Sequence, residues 1–177
     1  EDNHVVLKQA LLENLTDKKE QDPDVEFNRL FEVLPDGTVR NRPETFEVET
    51  TPGLFLGKNV DVNADMKRRS LAYFDTLSSY GPAWRNRFAN TYMQIPENGI
   101  AIYMPTYPWV ENAPSDESFR VTDDESFYIT NLEYNPERET VWTGIYYDQV
   151  AKAWMASCVT PVDVEGKLIA TLGHDIF

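Results

Sequence analysis

The sequence predicts an α+β domain built on an antiparallel sheet of about five strands, with an N-terminal helix and further helices on the flanks. Apolar residues recur at helical spacing in two segments, residues 5–15 and 63–80. The second half instead contains strand-like runs separated by turn residues. In chain order the elements therefore read helix, strands, helix and then mostly antiparallel strands, which is typical of helices packed against an antiparallel sheet.

The first helix is predicted from Leu7, Leu11 and Leu15, which lie on one face at intervals of four residues. A polar run and a proline follow it and are expected to end it before residue 24. Two interpretations stay open for this helix. It is either the end of a signalling helix that arrives from a membrane, or an ordinary packing helix.

Residues 27–40 alternate in character on both sides of Pro35-Asp36-Gly37, a run with strong turn preference, so they predict a strand–turn–strand unit. The polar, proline-containing residues 41–52 predict a loop. In the second helix Asn63 is the predicted N-terminal cap. Gly81-Pro82 is predicted to stop that helix, since glycine and proline commonly follow a helix end.

The remaining segments predict two hairpins. Residues 88–95 and 100–104 are strand-like, and Asn98-Gly99 between them is a favoured hairpin turn. Residues 151–162 and 167–177 form the longest pair of neighbouring β-like runs, joined at residues 163–166. This last pair is expected to be the backbone of the sheet.

Composition limits the possible functions. With 41% hydrophobic residues and 12% aromatic residues, a chain of 177 residues can bury a sizeable core. Its formal net charge of -14 argues against binding nucleic acid, and against docking on an anionic membrane through charge. No apolar run is as long as a membrane span and no signal peptide is evident. The chain opens abruptly on a charged, helix-like segment and closes abruptly on a strand, so we expect a fragment of a longer protein.

Candidate catalytic and metal-binding groups are few. Cys158 and His174 lie on the two long β-like runs and could face each other, but Cys158 lies among apolar and small residues, where a thiol is usually inert. The second histidine, His4, is expected to be exposed. The acidic residues between 116 and 125 could hold a divalent cation, although a solvated loop is the favoured interpretation. We predict no cofactor, no metal centre and no enzymatic activity.

A more specific signal comes from the ordered motifs of the second half. The first motif is Trp142-Thr143-Gly144-Ile145-Tyr146-Tyr147-Asp148. Four further motifs follow it in order: a run that begins with tryptophan at 154–158, a proline–valine pair at 161–162, a glycine turn at 166–167 and a run with the final aspartate at 173–176. Upstream lie the matching runs 135–139, 91–93 and 102–105. This set resembles the Cache family of extracytoplasmic sensor domains, in particular the membrane-distal module of double-Cache receptors. The resemblance implies a PAS-like fold with a small-molecule pocket on one face of the sheet.

In the amino-acid-binding branch of this family, an arginine-x-tryptophan-tyrosine run holds the ligand carboxylate. A Y-x-D pair and a later aspartate hold its ammonium group, and Tyr146, Asp148 and Asp175 match these three positions. The sequence departs from that branch at residues 127–131, which read Phe-Tyr-Ile-Thr-Asn where the arginine run is expected. The resemblance therefore implies a small polar ligand, with an amine or an amino-acid-like molecule among the candidates.

Six residues form the predicted ligand site. Asp148 and Asp175 are expected to pair with ligand charge, Tyr146 to form a hydrogen-bonding wall and Trp142 an aromatic wall. Arg138 is expected either to hold a ligand anion or to brace the pocket loop. Tyr103, on the second strand of the family pattern, completes the set. The structural alternatives are that Asp175 caps the last strand and that Tyr146 and Trp142 are core aromatics.

The leading functional hypothesis is the periplasmic small-molecule sensing domain of an inner-membrane receptor, with a histidine kinase or diguanylate cyclase output. The predicted division places a signalling or packing helix at residues 1–24 and the sensor module at 25–177, with a second, membrane-proximal module able to follow. We expect the full receptor to be a homodimer that meets the membrane only through flanking spans. The alternatives are a ligand-free dimerisation module and a hydrolase that uses Cys158 and His174.

Overall fold

A computed structural model describes residues 1–177. The chain forms five α-helices and nine strands. The helices are α1 (Asp2–Lys18), α2 (Asp24–Leu30), α3 (Ala64–Trp84), α4 (Trp109–Asn112) and α5 (Glu125–Tyr128). The strands are β1 (Phe31–Val33), β2 (Val39–Asn41), β3 (Gly53–Leu56), β4 (Asn90–Ile95), β5 (Gly99–Tyr103), β6 (Val141–Trp142), β7 (Tyr146–Asp148), β8 (Ala153–Val164) and β9 (Lys167–Ile176).

All nine strands are antiparallel to their neighbours, in the order β1-β2-β3-β5-β4-β9-β8-β6, and β7 also pairs with β8. The predicted α+β class, with an antiparallel sheet of about five strands and with N-terminal and flanking helices, is confirmed. The sheet is wider than predicted because three short strands, β1 to β3, extend it beyond β5, and β6 and β7 both pair with β8 at the other edge.

The sheet separates two hydrophobic cores, which define two faces. On the helix face, Leu54, Met93 and Leu172 pack against residues of α1, α2 and α3. On the opposite face, called the pocket face, Tyr92 and Ile102 pack against the segments that follow β5 and β7. Because successive side chains of a strand point to opposite faces, β3, β4, β5 and β8 each contribute to both cores.

The turns follow the predicted residues closely. Glu165 and Gly166 both have positive φ, as a two-residue hairpin turn between β8 and β9 requires. Between β4 and β5 the loop has three residues instead of two, and Asn98 provides the left-handed conformation with φ of 92°. Within 27–40 the hairpin is present as β1 and β2, but its first residues form α2 instead of strand.

The predicted end of the second helix is wrong. Asn63 caps the helix as expected, since its side chain accepts a hydrogen bond of 2.9 Å from the Met66 amide. However, α3 continues through Gly81-Pro82 to Trp84. Gly81 is buried against Tyr103, and a Cβ atom there would lie 2.6 Å from the Tyr103 ring. The glycine is needed for close helix–sheet contact and does not end the helix.

The first helix is longer than predicted and belongs to the main core. Its residues Leu7 and Leu11 are fully buried in the cluster that also contains Leu77 of α3. The expectation that His4 is exposed is wrong, because this side chain is 2% exposed. Its Nδ1 atom lies 2.6 Å from the hydroxyl of Thr160 on β8, so α1 packs directly on the sheet.

Candidate ligand-binding site

A cavity of about 310 Å³ lies on the pocket face of the sheet. Strands β4, β5 and β9 form its floor, the segment from α4 to α5 forms one wall, and β7 with the turn after it forms the other. Its volume is near the lower end of the range for small-molecule sites in proteins. The residues that line it include Asn90, Tyr92, Gln94, Ile100, Ile102, Trp109, Asp124, Tyr146, Asp148 and Asp175.

Asp175 lies on the cavity floor and is 3% exposed. Its carboxylate accepts hydrogen bonds from the Ser157 hydroxyl at 2.5 Å and from the Asn90 amide at 2.7 Å. Burial raises the pKa of Asp175 to about 6, against the effect of these two donors, and the charge of Asp148 contributes to the rise. Asp175 is thus a buried carboxylate held only by neutral groups.

Tyr146 is connected to Asp175 through one serine. The Tyr146 hydroxyl lies 2.8 Å from Ser157 Oγ, and Ser157 donates to Asp175. Burial and the nearby Asp175 charge raise the pKa of Tyr146, so this phenol stays protonated at neutral pH. Together these groups form a short hydrogen-bonded chain along one side of the cavity.

Asp148 combines a structural role with its place in the wall. Its Oδ1 accepts from the amides of Val150 and Ala151, each at 2.7 Å, and thereby holds the turn after β7. Its Oδ2 accepts from the Trp109 indole at 3.3 Å, which ties this turn to the opposite wall. The negative charge of Asp148 therefore stands beside the cavity in a fixed position.

Asp124 was not predicted from the sequence, yet it completes the cluster. It precedes α5 and its side chain makes no capping hydrogen bond. The pKa of Asp124 is raised to about 7. The main cause is that surrounding protein atoms partly desolvate its carboxyl group, and the negative charges of Asp148, Asp123 and Asp175 add to the rise. The residue itself is exposed at the cavity mouth, where water screens its charge, so it attracts a cation less strongly than Asp175 does. Its only sequence signal was membership of an acidic stretch.

Two buried polar atoms in the cavity have no hydrogen-bond partner. They are Oε1 of Gln94 and the hydroxyl of Tyr92, and both residues are 3% exposed. The amide nitrogen of Gln94 is used, since it donates to the Ser126 hydroxyl at 3.0 Å. Buried polar groups are nearly always paired in folded proteins, so unpaired ones in a cavity point to a missing ligand or water.

Three of the six predicted residues come together in this cavity, namely Tyr146, Asp148 and Asp175. The structure does not bring the other three to it. Trp142 is 51% exposed and pairs with Cys158 at the edge of β8. The other two make structural contacts elsewhere.

Arg138 and Tyr103 are both engaged by other parts of the chain. Arg138 forms two hydrogen bonds of 2.7 Å with Asp163 and a third, of 2.5 Å, with the Thr130 carbonyl, so it braces the loop before β6. Tyr103 lies on the helix face against Gly81, and its hydroxyl donates to the Glu49 carbonyl at 2.8 Å.

Cys158 and His174 are cross-strand partners, as the sequence suggested. The thiol is buried, and this burial raises its pKa. His174 uses Nδ1 to contact the Thr91 hydroxyl at 3.0 Å, and Phe88 stacks on its ring with centroids 4.0 Å apart. These are the surroundings of core groups.

We therefore expect Cys158 to resist thiol reagents in the folded protein and to react fully once the chain is unfolded. Burial keeps the sulfur protonated and out of reach. Labelling with a chromogenic disulfide at pH 8, with and without denaturant, measures this difference. Rapid labelling of the native protein would instead support the hydrolase alternative.

The structure contains no helix that is both long and apolar enough to cross a membrane. It also contains no group of three or more histidine, cysteine, aspartate or glutamate side chains arranged to hold a metal ion. Within the acidic stretch, Glu117 forms an ion pair with Lys58 at 3.2 Å.

Neither a protein-family model nor a curated protein matches the sequence. Several solved structures are similar. The ligand-binding domain of the Pseudomonas fluorescens chemoreceptor CtaA, in complex with L-isoleucine, is 15% identical with a TM-score of 0.46, and the match covers 60% of this chain and 40% of that chain. The ligand-binding domain of the Pseudomonas aeruginosa amino acid chemoreceptor PctB, in complex with L-Arg, is 13% identical with a TM-score of 0.41, and the match covers 54% of this chain and 36% of that chain. The ligand-binding domain of PctC from the same species, in complex with GABA, is 14% identical with a TM-score of 0.41, and the match covers 54% of this chain and 40% of that chain. This chain thus spans less than half the length of those domains.

Proposed function

We propose that this chain is a Cache-type extracytoplasmic sensing domain of a transmembrane receptor and that its ligand is a small molecule with an ammonium group. The observation that carries this proposal is the cavity on the pocket face. Asp124, Asp148 and Asp175 border it, and none of them forms an ion pair within the chain. An ammonium ligand would supply the missing positive charge through charge-assisted hydrogen bonds.

The neutral groups of the cavity fit the same ligand chemistry. Oε1 of Gln94 can only accept a hydrogen bond, so its partner in the ligand must be a donor such as an N–H group. The aromatic rings of Tyr92 and Tyr146 line the same space and offer cation–π attraction to an ammonium group. The ordered Y-x-D pair and later aspartate of the sequence are the positions that hold an ammonium group in the family that the chain resembles.

A route from the cavity to the N-terminal helix supports a signalling role. Asp175 lines the cavity, while the next residue back, His174, lies on the helix face, where its ring centroid is 4.9 Å from that of His4 on α1. A ligand that shifts β9 would therefore change the position of α1 on the sheet. In a receptor this would bias two arrangements of the helices that lead to the membrane.

The proposed receptor is a homodimer with a histidine kinase or diguanylate cyclase output. Val5 and Val6 of α1 are 70% and 48% exposed, which leaves an apolar surface on this helix for a second copy. In this proposal residues 1–24 act as the signalling helix of the module at 25–177, which leaves room for a membrane-proximal module after it. The same exposed surface also suits the alternative, a dimerisation module that binds no ligand.

A thermal-shift comparison of primary amines with carboxylates of the same size tests the ligand class. At 100 times its dissociation constant, a bound amine should stabilise the fold by about 2.7 kcal/mol and raise the melting temperature by roughly 5–10 °C. Carboxylates such as butanoate should give no shift, because their charge repels the cavity carboxylates. If amines and carboxylates both leave the melting temperature unchanged, the ligand-free alternative is favoured.

A further inference from the structure

The balance of charge around the cavity is more negative than one ammonium group can offset. Four aspartates line it, namely Asp123, Asp124, Asp148 and Asp175, whereas Arg120 is the only lysine or arginine that does so. Arg120 is exposed at the mouth and also borders a neighbouring groove that contains Asp116 and Glu117. It forms no ion pair with the aspartates of the cavity, so it does not neutralise the cavity floor.

The acidic groups approach the cavity from separate elements. Asp175 rises from the floor on β9, Asp148 stands in the wall formed by β7, and Asp124 stands in the opposite wall before α5. Asp148 and Asp175 are already partly used by donors of the protein, while the Asp124 carboxylate has no protein donor. One cationic group at Asp175 would therefore leave Asp124 without a partner.

An unpaired buried acceptor adds an independent indication of a ligand with a hydrogen-bond donor. Gln94 Oε1 has no partner and belongs to a residue that is 3% exposed on the cavity floor. Ile100 and Ile102 on the floor and Phe119 in one wall provide apolar surface inside the cavity. A polymethylene chain would bury favourably against these residues.

We infer that the ligand is a short dication, with two ammonium-type groups joined by an apolar stem, an inference that rests on the proposed amine-sensing function. One group binds at Asp175, close to Tyr92 and Gln94, and the second binds at Asp124 near the mouth. The cavity volume of about 310 Å³ suits a stem of a few carbons. A zwitterion of the same length would instead place a carboxylate among these aspartates.

Isothermal titration with three probes of the same four-carbon stem tests this inference. The probes are 1,4-diaminobutane, butylamine and 4-aminobutanoate, each measured at pH 8 and at two salt concentrations. The diamine should bind with one-to-one stoichiometry and roughly 10- to 100-fold more tightly than either of the others, since the second ammonium gains a charged hydrogen bond.

A pair of variants separates the cavity from the general attraction of a chain with net charge -14 for any dication. In the Asp124→Asn variant the diamine should bind at most about threefold more tightly than butylamine. Glu133→Gln removes the same charge from an exposed position outside the cavity and should leave the advantage intact. Asp124 is exposed, so its variant should fold, and circular dichroism checks this.

The outcomes separate the two proposals. If butylamine or 4-aminobutanoate binds as tightly as the diamine, or if Asp124→Asn keeps the full diamine advantage, the dication inference is overturned while amine sensing stands. If none of the three probes binds, both proposals fail. A diamine advantage that disappears equally in Glu133→Gln reflects overall charge and also overturns the inference.

Discussion

A fall in pH from 7 to 4 is expected to destabilise the ligand-free fold by roughly 3 kcal/mol, mainly because His4 and His174 must stay neutral in it. Burial lowers the pKa of His4 to about 3, and the nearby His174 contributes to this decrease. Burial likewise lowers the pKa of His174 to about 4, and the Asn90 carbonyl only partly offsets this. Each histidine therefore faces the other, and Arg87 is the charged side chain beside them.

The sign follows from proton binding in the two states. The unfolded chain binds a proton on each histidine as the pH falls below about 6.5, whereas the fold does so only near pH 4 and pH 3. Stability is therefore lost across that window. Asp175 acts in the opposite sense, because its folded pKa of about 6 exceeds the unfolded value of 3.8, and it offsets roughly 2 kcal/mol of a histidine loss of roughly 6 kcal/mol. Asp124 acts in the same sense as Asp175, but it is exposed, so water screens its contribution and the histidine loss remains the larger.

Urea unfolding at a series of pH values measures this dependence, and His4→Gln isolates its cause. Glutamine can keep a hydrogen bond to Thr160 but does not titrate, so the variant should lose clearly less stability than the parent between pH 6.5 and pH 4. Parallel curves for the two proteins would show that the histidine pair is not responsible.

The Asp175→Asn substitution is expected to change stability and binding in opposite directions. At pH 8 the ligand-free fold should gain about 2 kcal/mol, because the buried carboxylate is ionised there with its pKa raised to about 6. This gain should disappear below pH 3.8, where the carboxyl is protonated in both states. Amine binding should weaken by roughly 100-fold, since a charged partner of the ligand is removed.

Asp148→Ala provides the contrast. Its carboxylate accepts from two backbone amides and the Trp109 indole, so its loss should destabilise the ligand-free fold by about 1–2 kcal/mol. Denaturant unfolding and titration calorimetry on the same preparations give both quantities. If Asp175→Asn also destabilises the fold at pH 8, then its hydrogen bonds to Ser157 and Asn90 outweigh the cost of its charge.

The sequence predicted the features that depend on local pattern. The cap at Asn63, the turns near Asn98 and Gly166, and the pairing of β8 with β9 follow from the preferences of a few adjacent residues. The continuation of α3 through Gly81 was not predictable, because it depends on contact with Tyr103, which is distant in sequence. The local preferences of glycine and proline predict that the helix ends at these residues.

Long-range contacts also limited the prediction of the site. Which face a strand residue occupies follows from the register of the whole sheet, so the sequence could not place Tyr103 on the helix face and Asp175 in the cavity. Asp124 was hidden among exposed acids of the same stretch, and only the fold brings it to Asp148. His4 contacts Thr160, which lies 156 residues away along the chain.

Strand β9 places two neighbouring residues in opposite environments, an imidazole in the helix-face core and a carboxylate in the cavity. Insertion or deletion of one codon between the Gly166 turn and His174 would exchange them, since a shift of one residue moves every later side chain to the other face. A charge would then enter the contact with α1, and the cavity would lose its floor carboxylate. The number of residues between the turn and His174 therefore determines which of the two side chains faces the cavity.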